Sequence, residues 1–460
     1  MMKATLAPNS AAARDVAYQF HPNTNARRHE TVGPLIIERG EGIYVYDDAG
    51  NKYIETLAGL WCVAVGFGEQ RLVEASSRQM KKLSYYHTFT HKAHVPSIDL
   101  AERLAKMSII PSAKVMFTNS GSEANDTVVK LVWYYNNARG RPEKKKIISR
   151  FKAYHGVTVA SGSLTGIPLN HRDFDLPIAN ILHTTCPHHY RFSHEGESEI
   201  AFADRLAADL EALILREGPE TVAAFIGEPV MGAGGVIVPP ETYWSKVQEV
   251  CRKYDILVIA DEVITGFGRT GQMFGSQTYG IQPDIMVLSK QLTSAYLPLS
   301  AIVISDELYQ HIADNSARIG SFVHGITGGG HPVAAAVALE NLDIIEERDL
   351  VGHTAELAPV LQGGLRKFAD HPLVGEVRGV GLIAGVEMVA DKATKAGFDA
   401  PGKVGAMLTE RCQDNGLILR CLGDTAAFCP PLVIQRGQIE DMLGRFGKAL
   451  DETHAAVKAH

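Results

Sequence analysis

Two uninterrupted apolar runs constrain this chain more than any other feature. The first, Asp255 to Ala260, breaks off at Asp261-Glu262; the second, Pro283 to Leu288, breaks off at Ser289-Lys290. Apolar runs of strand length predict strands buried on both faces, as in a parallel sheet. Such sheets hold ligands at the carboxyl ends of their strands. Asp261 and Lys290 are therefore candidate functional groups of opposite charge. A cofactor that needs both fits them: pyridoxal phosphate is held by a lysine as a Schiff base, while an acid keeps its ring nitrogen protonated. An ion pair between two strand ends, or two ends meeting water, fits these residues as well.

The chain has 460 residues, enough for two or three domains. Apolar residues make up 45% and charged residues 21%, and the net charge is −7. The one basic run, Lys144 to Lys146, is short, so nucleic acid is not an expected partner. Six scattered cysteines form no CxxC pair, which disfavours a disulfide framework and points to a reducing compartment. Cys186-Pro187-His188-His189 looks like half a metal site, but no second half has ligand spacing, so a structural loop is the expectation and no metal is expected. No apolar run is long enough to span a membrane, and the start lacks a signal-peptide core. A cytoplasmic location is the expectation.

In chain order, Met1 to about Arg28 reads as an arm that orders only against a partner. Gly42–Tyr46 and Lys52–Glu55 flank Asp47-Asp48-Ala49-Gly50-Asn51, a hairpin signal. Trp61 lies in a Gly-bounded apolar segment, where core and pocket wall both remain open. Helices are predicted near 72–83 and 97–107, then a strand 114–117. Thr118-Asn119-Ser120-Gly121-Ser122-Glu123 follows, opening a helix to about Asn137. Strand, Gly/Ser turn and helix present N–H groups to a phosphate; a plain N-cap on Ser122 or Asn119 fits equally. Tyr154-His155-Gly156 follows a strand at 146–150 and could stack on a planar ring or close a turn. Glu228-Pro229 follows another strand. The strand–helix alternation from Lys114 to Lys290 has the rhythm of a parallel sheet. Beyond a strand at 301–304 and a Gly-rich loop at 325–330 the pattern shifts. Strands near 373–378, 382–388 and 417–420 mix with helices. The expected divisions are 1–65, an arm and hairpin joining the small domain; 66–330, a large α/β domain; and 331–460, a small α+β domain.

Taken together, Gly121-Ser122-Glu123, Tyr154-His155-Gly156, Glu228-Pro229, Asp261-Glu262-Val263 through Gly266-Phe267-Gly268-Arg269-Thr270-Gly271, Ser289-Lys290, Thr327 and His331-Pro332 resemble, in that order, the class III, fold-type I aminotransferases dependent on pyridoxal phosphate. The likeness runs from about Ala17 to the end. It is strongest to the omega-amino-acid or amine–pyruvate transaminases. In ornithine-type relatives an arginine stands shortly before Phe-x-Pro, where this chain has Ala426-Ala427-Phe428-Cys429-Pro430. Leu419-Arg420-Cys421-Leu422-Gly423 matches the segment with the omega group's mobile arginine.

The resemblance implies an α/β fold with a mostly parallel, seven-stranded-type sheet and a smaller α+β domain. It implies roles as well. Lys290 would hold the cofactor and shuttle a proton, and Asp261 would pair with the pyridine nitrogen. Ser120, Gly121 and Ser122 would hold the phosphate, Tyr154 would stack on the ring, and His155, Glu228 and Val263 would border the cofactor. Trp61, Phe89, Tyr154 and Arg420 would meet substrate. Thr327 would reach the cofactor of another subunit, so a homodimer or dimer of dimers is implied. The implied reaction moves an amino group from an amine to pyruvate, giving alanine. An aminomutase, a decarboxylase or a non-catalytic regulator on the same fold are the rivals, the last lacking any basic helix-turn-helix extension here. One departure stands out: the family's Thr-x-Ser-Gly-His-Pro is Thr327-Gly328-Gly329-Gly330-His331-Pro332. A hydroxyl is lost and the loop is expected to gain glycine freedom.

Overall fold

The structure, a computed structural model, describes residues 7–459. Its centre is a seven-stranded sheet in the order Lys114–Thr118, Ser300–Ile304, Ile285–Leu288, Leu257–Asp261, Val222–Gly227, Lys146–Arg150, Ile181–Thr184. Ser300–Ile304 runs antiparallel to both its neighbours; the remaining pairs are parallel.

The apolar runs of the sequence are the middle of this sheet, and their alternation builds two cores. Leu257, Ile259, Ile285 and Val287 face the helix Gly121–Ala138, packing with its Ala124, Val128 and Val132. Val258, Ala260, Met286 and Leu288 face the other side, with Trp244 and Leu292. Successive strand side chains point to opposite faces, so Asp261 falls on the same face as Leu257 and Ile259, beneath the Gly121–Ala138 helix. Burying each aliphatic side chain contributes about 1.5–3 kcal/mol. A one-residue slip would turn every one of them to the wrong layer.

Two smaller sheets flank the large one. Ile37–Glu41, Tyr44–Asp47 and Lys52–Glu55 form an antiparallel set, and Leu417–Ile418 adds to Lys52–Glu55 in parallel. Val374–Val380, Ile383–Met388, Thr425–Phe428 and Arg420–Leu422 form the other. The single strand expected at 417–420 is thus two strands in two sheets, and Arg420 opens the second.

The N-terminal segment also departs from expectation. Met1–Leu6 lie outside the described residues, but Ala11–Tyr18 and Ala26–Val32 are helices. Ser10 and Asn25 cap them, and Asp15 ties them together through His21 at 2.9 Å and His29 at 2.8 Å. The caps were present in the sequence; the long-range Asp–His bonds were not legible. Helix Asp306–Ile319 was also missed, although Ser305 caps it and Asp306 and Glu307 suit its first turn.

Candidate active site

Asp261 and Lys290 meet at the strand ends of the large sheet, around a cavity of about 360 Å³. Ser120, Gly121, Ser122, Asn125, Tyr154, His155, Glu228 and Val263 also border it. Of the residues predicted for the site, Trp61, Phe89, Thr327 and Arg420 do not line it within one chain.

The Asp261 carboxylate is buried and held on three sides. One oxygen accepts His155 Nδ1 at 2.7 Å and Asn125 Nδ2 at 3.0 Å; the other accepts the Val263 N–H at 3.1 Å. Its close partner is His155, and the Asp261–Lys290 pair that the sequence also allowed does not form. Asn125 was not foreseen: an asparagine one turn into a helix carries no signal until the fold shows what it faces. Its other bond goes to the His155 carbonyl at 2.7 Å.

Lys290 follows its strand Ile285–Leu288 after one residue, Ser289, with φ +45°. A non-glycine residue persists in the left-handed region only where its surroundings impose it, and such strain collects at functional sites. The Ala295 N–H closes a turn onto the Lys290 carbonyl at 3.2 Å.

The Gly121–Ala138 helix starts at the cavity. Its cap is Ser120, whose Oγ accepts the Glu123 N–H at 3.2 Å, while Glu123 accepts the Asn119 N–H at 2.8 Å. The cap expected on Ser122 or Asn119 is therefore on Ser120. The first-turn N–H groups of Gly121 and Ser122 have no intrahelical acceptor and sit at the positive end of the helix. Gly156 packs against this turn: a Cβ there would meet Ser161 Oγ at 2.3 Å and Ser122 Oγ at 2.6 Å.

Glu228, expected to border the cofactor, is a buried anchor. It accepts the backbone N–H of Tyr154 at 3.0 Å and of Gly232 at 3.0 Å. Burial pushes its carboxyl above the ordinary range, against the pull of His155 and Arg150. Tyr154 is fixed in this way beside the cavity. Burial raises its phenol, and the Arg420 guanidinium opposes that shift.

Arg420 is partly buried, which lowers its own affinity for a proton; the Tyr154 phenol is its neighbour and opposes that shift. Asp424, the partner that a plain salt bridge would need, is taken up by the N–H groups of Gly402 and Gly405, both at 2.8 Å.

Trp61 packs in a cluster with Leu57, Val230, Val236 and Ile264, at φ +65°. Its neighbours Leu60 and Cys62 face the cavity instead. Phe89 and Thr327 are exposed, and Tyr85 donates to the Thr327 carbonyl at 2.9 Å. The glycine loop after Thr327 is not free. A Cβ at Gly328 would meet Asn119 Oδ1 at 2.8 Å, and at Gly329 the Phe117 carbonyl at 2.6 Å. Without side chains at 328 and 329 the loop packs closely on Asn119 and on the strand Lys114–Thr118. His188, from the loop that looked like half a metal site, pairs with Glu376 at 2.8 Å within a cluster that includes Arg378 and Glu387.

The donor set fits pyridoxal phosphate. A buried, hydrogen-bonded carboxylate suits a protonated ring nitrogen, an amine outside any pair with Asp261 suits an aldehyde, and free first-turn N–H groups suit a phosphate.

The family described as "Aminotransferase class-III" matches residues 24–450. Among curated proteins, the chain is 51% identical over 455 residues to gamma-aminobutyrate transaminase 1, mitochondrial, of Oryza sativa subsp. indica. That covers 98% of this chain and 88% of the relative. It is 52% identical over 438 residues to the corresponding Solanum lycopersicum protein, covering 95% and 85%. Among solved structures, it is similar to the omega transaminase from Pseudomonas jessenii in complex with PMP. Identity is 62%, TM-score 0.97, and coverage 98% of this chain and 99% of that one.

Proposed function

Because this chain belongs to the class III aminotransferases, enzymes that use pyridoxal phosphate, we propose that it moves an amino group from an amine or omega-amino acid to pyruvate, releasing alanine. The observation that carries this reading is Arg420, a partly buried guanidinium next to Tyr154 with no carboxylate beside it among the described residues. A cation left without a partner near a cavity suits a substrate carboxylate. Pyruvate brings one, and an amine donor need not.

When bound, the cofactor supplies an aldehyde to take the amino group and a ring to accept electrons. The protein's own groups do the rest. Lys290 Nζ would hold the cofactor and, when freed, would carry a proton at the substrate carbon. Asp261, held by His155 and Asn125, would supply the counter-charge for the ring nitrogen. Gly121 and Ser122 would hold the phosphate at the helix start, and Thr327 would reach that of a partner copy in a dimer. Glu228 holds the Tyr154 backbone, which would let the phenol ring stack on the cofactor.

Two observations concern the donor. In a solved omega transaminase variant engineered for bulky amines, a tryptophan, a phenylalanine and an arginine were replaced; this chain carries those residue types at Trp61, Phe89 and Arg420. Curated relatives named as gamma-aminobutyrate transaminases favour a second reading, a donor with its own carboxylate, which Arg420 would also suit. A panel of aryl-alkyl amines, diamines, β-alanine and γ-aminobutyrate with pyruvate, followed as alanine formation, decides between them. No alanine from any donor would overturn the pyruvate assignment.

A further inference from the structure

The cavity wall that carries Leu60 and Cys62 is pinned at both ends. At its far end, the N–H groups of Ala64 and Val65 donate to Ser294 Oγ at 3.2 and 3.3 Å, four residues beyond Lys290. At its near end, Glu55 accepts the N–H of Leu57 at 3.3 Å and that of Gly59. Between these pins the backbone passes through positive φ at Ala58 (49°), Gly59 (69°) and Trp61 (65°). L residues hold that conformation only where neighbours impose it. Glu55 is 4% exposed and, among the described residues, has no cation to pair with, so its hydrogen bonds to this turn are what its charge does.

We propose that Glu55 is a positioning residue for the transamination: its carboxylate sets the Leu57–Cys62 wall and, through Leu60 and Cys62, the width of the cavity beside them. This rests on the amine-transfer reading above only for the choice of donors in the test.

The chemistry of the site supports a titratable latch. Burial raises the Glu55 carboxyl from its ordinary 4.5 to about 7, against the pull of the Gly59 and Leu57 N–H groups. Ionised, it offers an acceptor to each N–H; protonated, one oxygen turns donor and loses its match. The wall is therefore firmest above neutral pH. The charge of Glu55 raises the Cys62 and Cys429 thiols, and the charges of Arg269 and Lys290 lower them. The adjoining strand Leu417–Ile418 brings no titratable group, and Asp47 is bound to Asn51 and Tyr53.

The test uses the holoenzyme, with Glu55→Gln and Glu55→Ala beside wild type. Glutamine removes the charge and keeps an acceptor; alanine removes both. At pH 8, iodoacetamide labelling of Cys62, read by mass spectrometry, is expected to be about tenfold faster in the alanine variant than in the glutamine variant. The wild-type ratio of KM for 1-phenylethylamine to KM for isopropylamine should change across pH 7, and both variants should flatten it. Equal Cys62 labelling in all three proteins would overturn the proposal. A wild type that turned over neither amine would count against the proposed donors alone, and the labelling arm would still decide the role of Glu55.

Discussion

His155 Nδ1 stands 2.7 Å from the Asp261 carboxylate in a site where neither side chain reaches solvent to any extent. The same oxygen takes Asn125 Nδ2 at 3.0 Å, so one carboxylate oxygen is fixed by two donors before any cofactor arrives. Asparagine at 261 could keep its amide oxygen on both donors only by setting its NH2 against the Val263 N–H, and it would bring no counter-charge for a ring cation. Asp261→Asn is expected to fold but to weaken cofactor binding strongly, since removing one partner of a buried pair costs roughly 3–5 kcal/mol. Titration of the apoenzyme with pyridoxal phosphate measures this, and unchanged affinity would contradict it.

Arg420 should separate the two halves of the reaction. Arg420→Ala is expected to weaken the pyruvate half by roughly 1.5–3 kcal/mol, the range for hydrogen bonds to a charged group. The half with a carboxylate-free amine should change far less. Single-turnover spectroscopy follows each half, and equal losses in both would exclude Arg420 as the carboxylate's partner.

A buried network fastens the C-terminal sheet to the large one. Arg378 donates to Glu387 at 2.6 Å and to the carbonyls of Gly235 and Val236 at 3.1 and 3.0 Å. Burial alone would raise Glu387, but Arg378, His188 and Arg191 outweigh it and hold it at about 2. A depressed carboxyl stabilises the fold above its ordinary 4.5, and that contribution is lost as pH falls towards about 2. Arg378→Ala should destabilise the protein at neutral pH by roughly 3–5 kcal/mol. Its thermal midpoint should also lose much of the wild-type fall between pH 5 and pH 3. An unchanged midpoint at pH 7 would show that the network carries no net stability.

Glu55 has the opposite sign. Its raised carboxyl favours the folded state below pH 4.5, and that contribution is lost as pH rises through about 7. Glu55→Gln should therefore gain thermal midpoint over wild type at pH 8 relative to pH 5. Parallel pH profiles would contradict a titrating Glu55.

The two apolar runs made the centre of the fold legible, because a strand buried on both faces leaves no polar residue until it ends. They could not show that Ser300–Ile304 is antiparallel, since Ser300-Ala301-Ile302-Val303-Ile304 reads as apolar in either direction. Asp261 and Lys290 were legible as charges at strand ends. Asn125, Glu55 and the anchoring of Tyr154 by Glu228 were not, because each bond spans a distance in sequence or a turn whose conformation no periodicity encodes. The split of 417–420 was hidden for a similar reason: Leu417 to Leu422 keeps strand-like residues while the chain crosses from one sheet to another.

The most direct test follows the visible absorbance of the holoenzyme through one turn of each half-reaction. A primary amine alone should bleach the band, and pyruvate alone should then restore it with one equivalent of alanine. Lys290→Ala should do neither at a comparable rate, having lost the holding amine and the proton carrier together. A wild type whose band pyruvate fails to restore, or a Lys290→Ala variant that cycles as fast as wild type, would contradict amino transfer to pyruvate through Lys290.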